Sequence, residues 1–125
     1  MSRLERQAVS VDSYPDPAEA EAHLLSAMTC DLTRSVGGGR PWVLMERAPS
    51  AVSWRTVNVP KAPGQYRALS LQAVARGGDA ILSFQWRASA TGAEKFHRGM
   101  LPHAGTSRTV AWSHRTAPRT RYLGR

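Results

Sequence analysis

Between Pro41 and Glu46 the chain reads Trp-Val-Leu-Met with no polar residue, and this run constrains the fold more than any other stretch. Four consecutive apolar residues leave no face for water, so Trp42 to Met45 is expected as a strand buried on both faces, the kind that builds parallel sheets. Ala80 to Trp86 (AILSFQW) reads as a second buried strand, and Ala8 to Tyr14 (AVSVDSY) alternates apolar and polar residues into Pro15, as a short strand does before a loop.

Helices are predicted between the strands. Asp16 can cap free backbone N–H groups, Pro17 fits a first helical position and Glu19 falls where a capping box wants an acid. The helix predicted over 17–36 carries Leu25, Met28, Leu32 and Val36 as its apolar stripe, and Gly37, Gly38 and Gly39 end it. A second helix is predicted over 64–76, with Tyr66, Leu69, Ala73 and Val74 on one face and Gly77 and Gly78 closing it; a short one follows from Ala93 to Met100. The polar stretch 47–63, punctuated by Pro49, Pro60 and Pro63, is longer than most connections, and such loops often carry function. It contains Trp54.

Strand, helix, strand, helix, strand, helix demands a parallel sheet with right-handed crossovers. A doubly wound sheet would place a glycine-rich phosphate turn between a strand and the next helix. Here the Gly37–Gly39 run follows a helix and precedes a strand, so it reads as a helix stop. A (β/α)8 barrel puts its chemistry at the C-terminal ends of the strands, where Glu46 and the Phe84 to Arg87 segment fall. The barrel fits better.

At 125 residues and 42% hydrophobic, the chain suits one globular core. Its charge of +8 raises the question of nucleic acid, but the excess lies mostly in the tail. From Thr106 onward there are five arginines and no acid, whereas the first 105 residues hold twelve cations against nine acids. The segment 106–125 has no apolar periodicity and is expected to be disordered, which leaves 1–105 as the folded part. A small basic nucleic-acid-binding protein acting through this tail is the alternative function. Cys30, the sole cysteine, cannot form an internal disulfide, Met1 to Tyr14 lacks the apolar stretch of a secretory signal, and no run of eighteen apolar residues exists, so a cytoplasmic protein is expected.

A carboxylate directly after a buried strand is costly unless something uses or pairs it, which marks Glu46. Trp54, Phe84, Trp86, Glu94 and His97 are the residue types that line sugar sites: aromatic faces cover the C–H side of a pyranose, while carboxylate and imidazole take its hydroxyls. Glu94 and His97, three apart on the predicted short helix, share a face. Cys30 reads as a small buried side chain, Trp42 and Trp86 as core. His23, His103 and His114 show no metal spacing with one another or with Cys30, so neither a metal nor another cofactor is assigned.

Three blocks, PWVLMERAPSAVSW (Pro41 to Trp54), NVPKAPGQYRALSLQAVARGGDAILSFQWR (Asn58 to Arg87) and GAEKFHRGMLPHAG (Gly92 to Gly105), resemble the bacterial β-galactosidases of glycoside hydrolase family 42 in order and spacing. The resemblance implies that Glu46 ends barrel strand seven and is the nucleophile, that Trp54 and Phe84 pack beside the galactose, and that Glu94 and His97 bind its hydroxyls. VDSYPDP (Val11 to Pro17) looks like the end of strand six, so the expected fold is the C-terminal portion, about strands six to eight, of a (β/α)8 barrel. The sequence departs from the family at Ala88 and Ala90, where more polar residues are usual, and at Arg47, where glutamine is commoner. A guanidinium beside the nucleophile would hold it in its charged form and could blunt it. After Gly105 these blocks end, as a frameshifted or truncated reading frame would make them.

Retaining hydrolysis needs a nucleophile and an acid/base carboxyl about 5 to 5.5 Å apart. In the family the second sits in an Asn-Glu pair on strand four, and this sequence has no Asn-Glu dipeptide. The expected partner is therefore a terminal β-galactoside, with hydrolysis lost in this chain alone and homo-oligomers formed only with a complete barrel.

Overall fold

The structure, a computed structural model, describes residues 8–105. The basic segment 106–125, with His114, lies outside the described residues. Three strands, β1 (Val9–Asp12), β2 (Trp42–Arg47) and β3 (Ala80–Ser83), pair in the order β1-β2-β3, all parallel. Helix α1 (Ala22–Gly37) joins the first two and α2 (Gln65–Ala75) the last two. Both helices pack on one face of the sheet, where Cys30 of α1, Trp42 and Leu44 of β2 and Ala73 of α2 form a buried cluster edged by Val9, Val11 and Ile81. Because side chains alternate along a strand, Ser10, Asp12 and Leu82 turn to the opposite face, which no described helix covers.

The predicted order of elements holds; several of their details do not. Helix α1 starts at Ala22 rather than 17. Asp16 does cap, but it caps a turn: one carboxylate oxygen accepts the Ala18 N–H at 3.0 Å and the other is held by Arg55, also at 3.0 Å. The stripe expected to face the core, Leu25, Met28, Leu32 and Val36, is more than half exposed. The buried face is built from Ala22, Ser26, Ala27, Cys30 and Thr33, because small side chains let the helix sit close to the sheet. At its end the prediction stands, with Gly38 in the left-handed region and its N–H on the Ser35 carbonyl.

On α2 the buried residues are Tyr66, Leu69 and Ala73, while Val74 is exposed. Strand β3 stops at Ser83, three residues short of its predicted end, and Trp86 is exposed rather than core; Trp42 and Cys30 are buried as expected. The last predicted helix is a single 3-10 turn, Ala93–Phe96. Beyond it the chain returns to the sheet end, where Leu101 bridges Arg87 and the Ala88 N–H donates to the Leu101 carbonyl at 3.0 Å. Gly99 makes this return possible: a Cβ there would lie 2.4 Å from the Ala88 nitrogen. Met100 then packs on Tyr66 in a second buried cluster.

Candidate active site

At the C-terminal end of the sheet, Glu46 leaves β2 half-buried toward the open side. Its carboxylate accepts a hydrogen bond from the Tyr14 hydroxyl at 2.6 Å, a short, charge-assisted contact of the strong kind. Tyr14 sits two residues beyond β1, and the backbone runs on in register, since the Ser13 N–H donates to the Glu46 carbonyl at 3.0 Å. Burial and the adjacent Glu46 carboxylate push the Tyr14 phenol well above its ordinary range, so it stays a proton donor. Tyr14 was not among the residues singled out from sequence. Its signal was available: it closes a predicted strand, and in a barrel every strand end is a candidate for chemistry.

Arg47 does not lie beside the carboxylate as expected. Its guanidinium turns to the helix layer and donates to Ser26 Oγ of α1 at 2.9 Å; the pairing with β1 skips Met45, and this register shift reverses the alternation that would otherwise keep Glu46 with Leu44 on the helix face. The departure from glutamine at this position therefore does not act on Glu46 directly.

The other predicted residues converge on the same strand ends. Trp54 meets Tyr14 edge to face at 5.0 Å between centroids and lies 5.2 Å from the His97 ring; Phe84 meets His97 edge to face at 5.0 Å. Arg55 fixes the loop that carries Trp54 by pairing with Asp16 and donating to the Tyr14 carbonyl at 2.6 Å. This clamp between the loops after β1 and β2 was also not read from sequence, since arginine and aspartate thirty-nine residues apart give no local pattern. Trp54 itself is 53% exposed, and a cavity of about 500 Å³ opens along it, lined by Asp16, Arg55 and Val57 among others.

His97 is fully buried, and desolvation holds its pKa below the ordinary value, so the ring is neutral. Its Nε2 faces the Phe84 carbonyl at 2.9 Å. A carbonyl can only accept, so Nε2 carries the proton and Nδ1 is a lone-pair acceptor. Nδ1 lies 3.5 Å from a Glu94 carboxylate oxygen and has no hydrogen-bond partner. With the ring neutral, this contact is two acceptors side by side rather than an ion pair. Ser53 Oγ approaches the same Glu94 oxygen at 3.3 Å. The 3-10 turn brings Glu94 and His97 together as the predicted helix would have, through the His97 N–H on the Glu94 carbonyl at 3.0 Å. Among the described residues no group of three or more His, Cys, Asp or Glu is placed to hold a metal.

Comparison with known proteins assigns the class. The family model described as Beta-galactosidase of glycoside hydrolase family 42 matches residues 3–119, a span that takes in part of the basic C-terminal segment. A β-galactosidase from Arthrobacter sp is 48% identical over 102 residues, which is 82% of this chain and 15% of that protein. One from a Geobacillus strain is 53% identical over 95 residues, 76% of this chain and 14% of the relative. Among solved structures, a catalytic mutant of a family 42 β-galactosidase from G. stearothermophilus superposes with a TM-score of 0.78 at 34% identity, over 85% of this chain and 16% of that one. The β-galactosidase of Bacillus circulans sp. alkalophilus gives 0.76 at 36% identity, over 86% and 16%.

The fold is a small α/β piece, three parallel strands with two helices, and the solved structures it matches are β-galactosidases. The chain belongs to glycoside hydrolase family 42, the β-galactosidase family, and spans about 15% of the length of the curated relatives it matches. Nothing in the comparisons supports the nucleic-acid-binding alternative.

Proposed function

We propose that this chain is the part of a retaining β-galactosidase that carries the nucleophile and one wall of the galactose site, corresponding to barrel strands six to eight. The observation that carries the reading is the Tyr14–Glu46 hydrogen bond of 2.6 Å at a strand end framed by the rings of Trp54, Phe84 and His97. In this reading Glu46 attacks the anomeric carbon. Tyr14 orients one carboxylate oxygen and leaves the other for bond formation. Glu94 and the His97 Nδ1 lone pair accept galactose hydroxyls, and Trp54 and Phe84 cover its apolar face. The acid/base carboxyl comes from a chain segment equivalent to strand four, so this chain alone lacks the group that protonates the leaving oxygen. Among the described residues no helix is long and apolar enough to cross a membrane, and the proposed setting is the cytoplasm.

The test supplies the missing half: the chain is mixed with a polypeptide covering strands one to five of a relative, and release from a chromogenic galactoside is followed. Activity is expected to appear only in the mixture and to vanish with Glu46→Gln; activity that survives this substitution overturns the assignment. A dinitrophenyl galactoside, whose leaving group needs no proton, separates loss of the nucleophile from poor assembly of the acid/base. Tyr14→Phe is expected to lower kcat/KM by roughly 10- to 100-fold, the worth of one hydrogen bond to a charged group, without abolishing turnover.

A further inference from the structure

Past the Ser13 N–H on the Glu46 carbonyl at 3.0 Å, the chain leaving β1 is held by a side chain from the next loop. Arg55, nine residues beyond Glu46, forks onto two points of it: Nη2 donates to the Tyr14 carbonyl at 2.6 Å and Nη1 to Asp16 Oδ2 at 3.0 Å. The side chains of the ion pair are 26% and 21% exposed, so water and salt screen it less than a pair on the open surface. The two acceptors flank Pro15, whose ring fixes a backbone dihedral, and the fork thus holds the main chain from Tyr14 to Asp16 as one unit.

Arg55 is itself anchored. Its N–H donates to Asn58 Oδ1 at 3.1 Å and its carbonyl accepts from Asn58 Nδ2 at 3.2 Å. Two residues earlier Ser53 Oγ donates to Glu94 at 3.3 Å, so the loop after β2 is pinned to its neighbours on either side of Trp54. With the Tyr14 backbone fixed, two side-chain torsions remain to place its ring, and Trp54, edge to face at 5.0 Å, limits them. The hydroxyl then falls on the Glu46 carboxylate at 2.6 Å.

We propose that Arg55 is a positioning residue for the nucleophile: by holding the Tyr14 carbonyl and the Asp16 carboxylate at once, it sets the Tyr14 hydroxyl on Glu46. Its catalytic consequence rests on the assignment of Glu46 as nucleophile; the coupling of Arg55 to the Tyr14 hydroxyl does not. A planar guanidinium presents both donors in one rigid fork, which a lysine ammonium cannot do.

A double-mutant cycle tests the coupling. In the urea transition of the 125-residue chain, at dilutions where it is monomeric, Tyr14→Phe is expected to lower the folding constant by roughly tenfold or more, the worth of a hydrogen bond to a charged group. Once Arg55→Gln is present, Tyr14→Phe is expected to change it little; an equal effect in both backgrounds overturns the proposal. In the mixture with strands one to five, Arg55→Gln is expected to lower kcat for the chromogenic galactoside as Tyr14→Phe does, roughly 10- to 100-fold. KM should change little, and the double variant should be no slower than Tyr14→Phe alone. A raised KM with unchanged kcat would mean that Arg55 only steadies the Trp54 wall, and losses that multiply would mean that it acts apart from Tyr14; either result overturns the proposal. Arg55→Lys, which keeps a charge facing Asp16 but not the fork, is expected to share both defects, and full function in this variant overturns the two-point hold. Coupling in urea without activity in any mixture supports the positioning and counts against the assignment of Glu46, so the two can fail separately.

Discussion

Glu46 and Arg47 are adjacent in sequence and opposite in role because a strand sends neighbours to different faces, and the register shift that skips Met45 decides which face each takes. Glu46 meets Tyr14 on the open face, and Arg47 meets Ser26 in the helix layer. Lys61 is buried in the loop before α2, with the Ser50 carbonyl 3.5 Å from its Nζ. Burial, then the charges of Arg47 and Arg55, push its pKa down to about 8, against about 10.4 for a free lysine. Between these values the unfolded chain holds the proton and the folded chain does not, so stability from this group rises with pH across that window and is absent below it. The full gain is on the order of 3 kcal/mol. It should appear as a rising urea midpoint from pH 8 toward 10, at dilutions where the chain is monomeric, and Lys61→Met should flatten it. A midpoint of the original chain that does not rise across this range would show Lys61 to be better solvated than its burial implies. Above pH 10 the raised Tyr14 phenol works the other way, since the unfolded tyrosine then ionises first.

At the scale of elements, helix α1 shows how a pattern can be read correctly as a helix and wrongly as to its buried face. Leu25, Met28, Leu32 and Val36 do form a stripe, but Ser26, Ala27, Cys30 and Thr33 face the sheet. Packing distance decided between them: a large stripe would hold the helix off β2. The segment after β3 depends in turn on Gly99. Alanine there would set its Cβ 2.4 Å from the Ala88 nitrogen and 2.7 Å from the Arg87 carbonyl carbon, and backbone atoms cannot move aside as a side-chain tip can. Gly99→Ala is expected to cost about 1–3 kcal/mol or more and to loosen the contact of Met100 with Tyr66. A change under about 0.5 kcal/mol in the thermal or urea transition, the range of ordinary surface substitutions, would show that the close approach is not maintained.

Across the whole molecule, the described sheet ends at β1 on one side and β3 on the other, with no further strand paired to either outer edge. Unpaired edges and an exposed apolar stripe invite association, and Met45 and Leu82 add to the exposed surface. The isolated chain is expected to aggregate at micromolar concentration and to be rescued by the complementing half-barrel. A monomeric chain with a cooperative urea transition at that concentration would contradict this. The exposed stripe of α1 has the same explanation, since in the proposed barrel a preceding helix would cover it.

The sequence by itself determined the order of elements and the parallel sheet, and it singled out Glu46, Trp54, Phe84, Glu94 and His97 as candidates, because apolar runs, glycine stops and the three family blocks are local signals. Only the tertiary structure brought Tyr14 onto Glu46, clamped Arg55 to Asp16, sent Arg47 into the helix layer beside Ser26 and left the long stripe of α1 outside. Each of these depends on side chains that meet across 21 to 41 positions or on how closely a helix can approach a sheet. Hydrophobic periodicity describes one element at a time and carries neither kind of information.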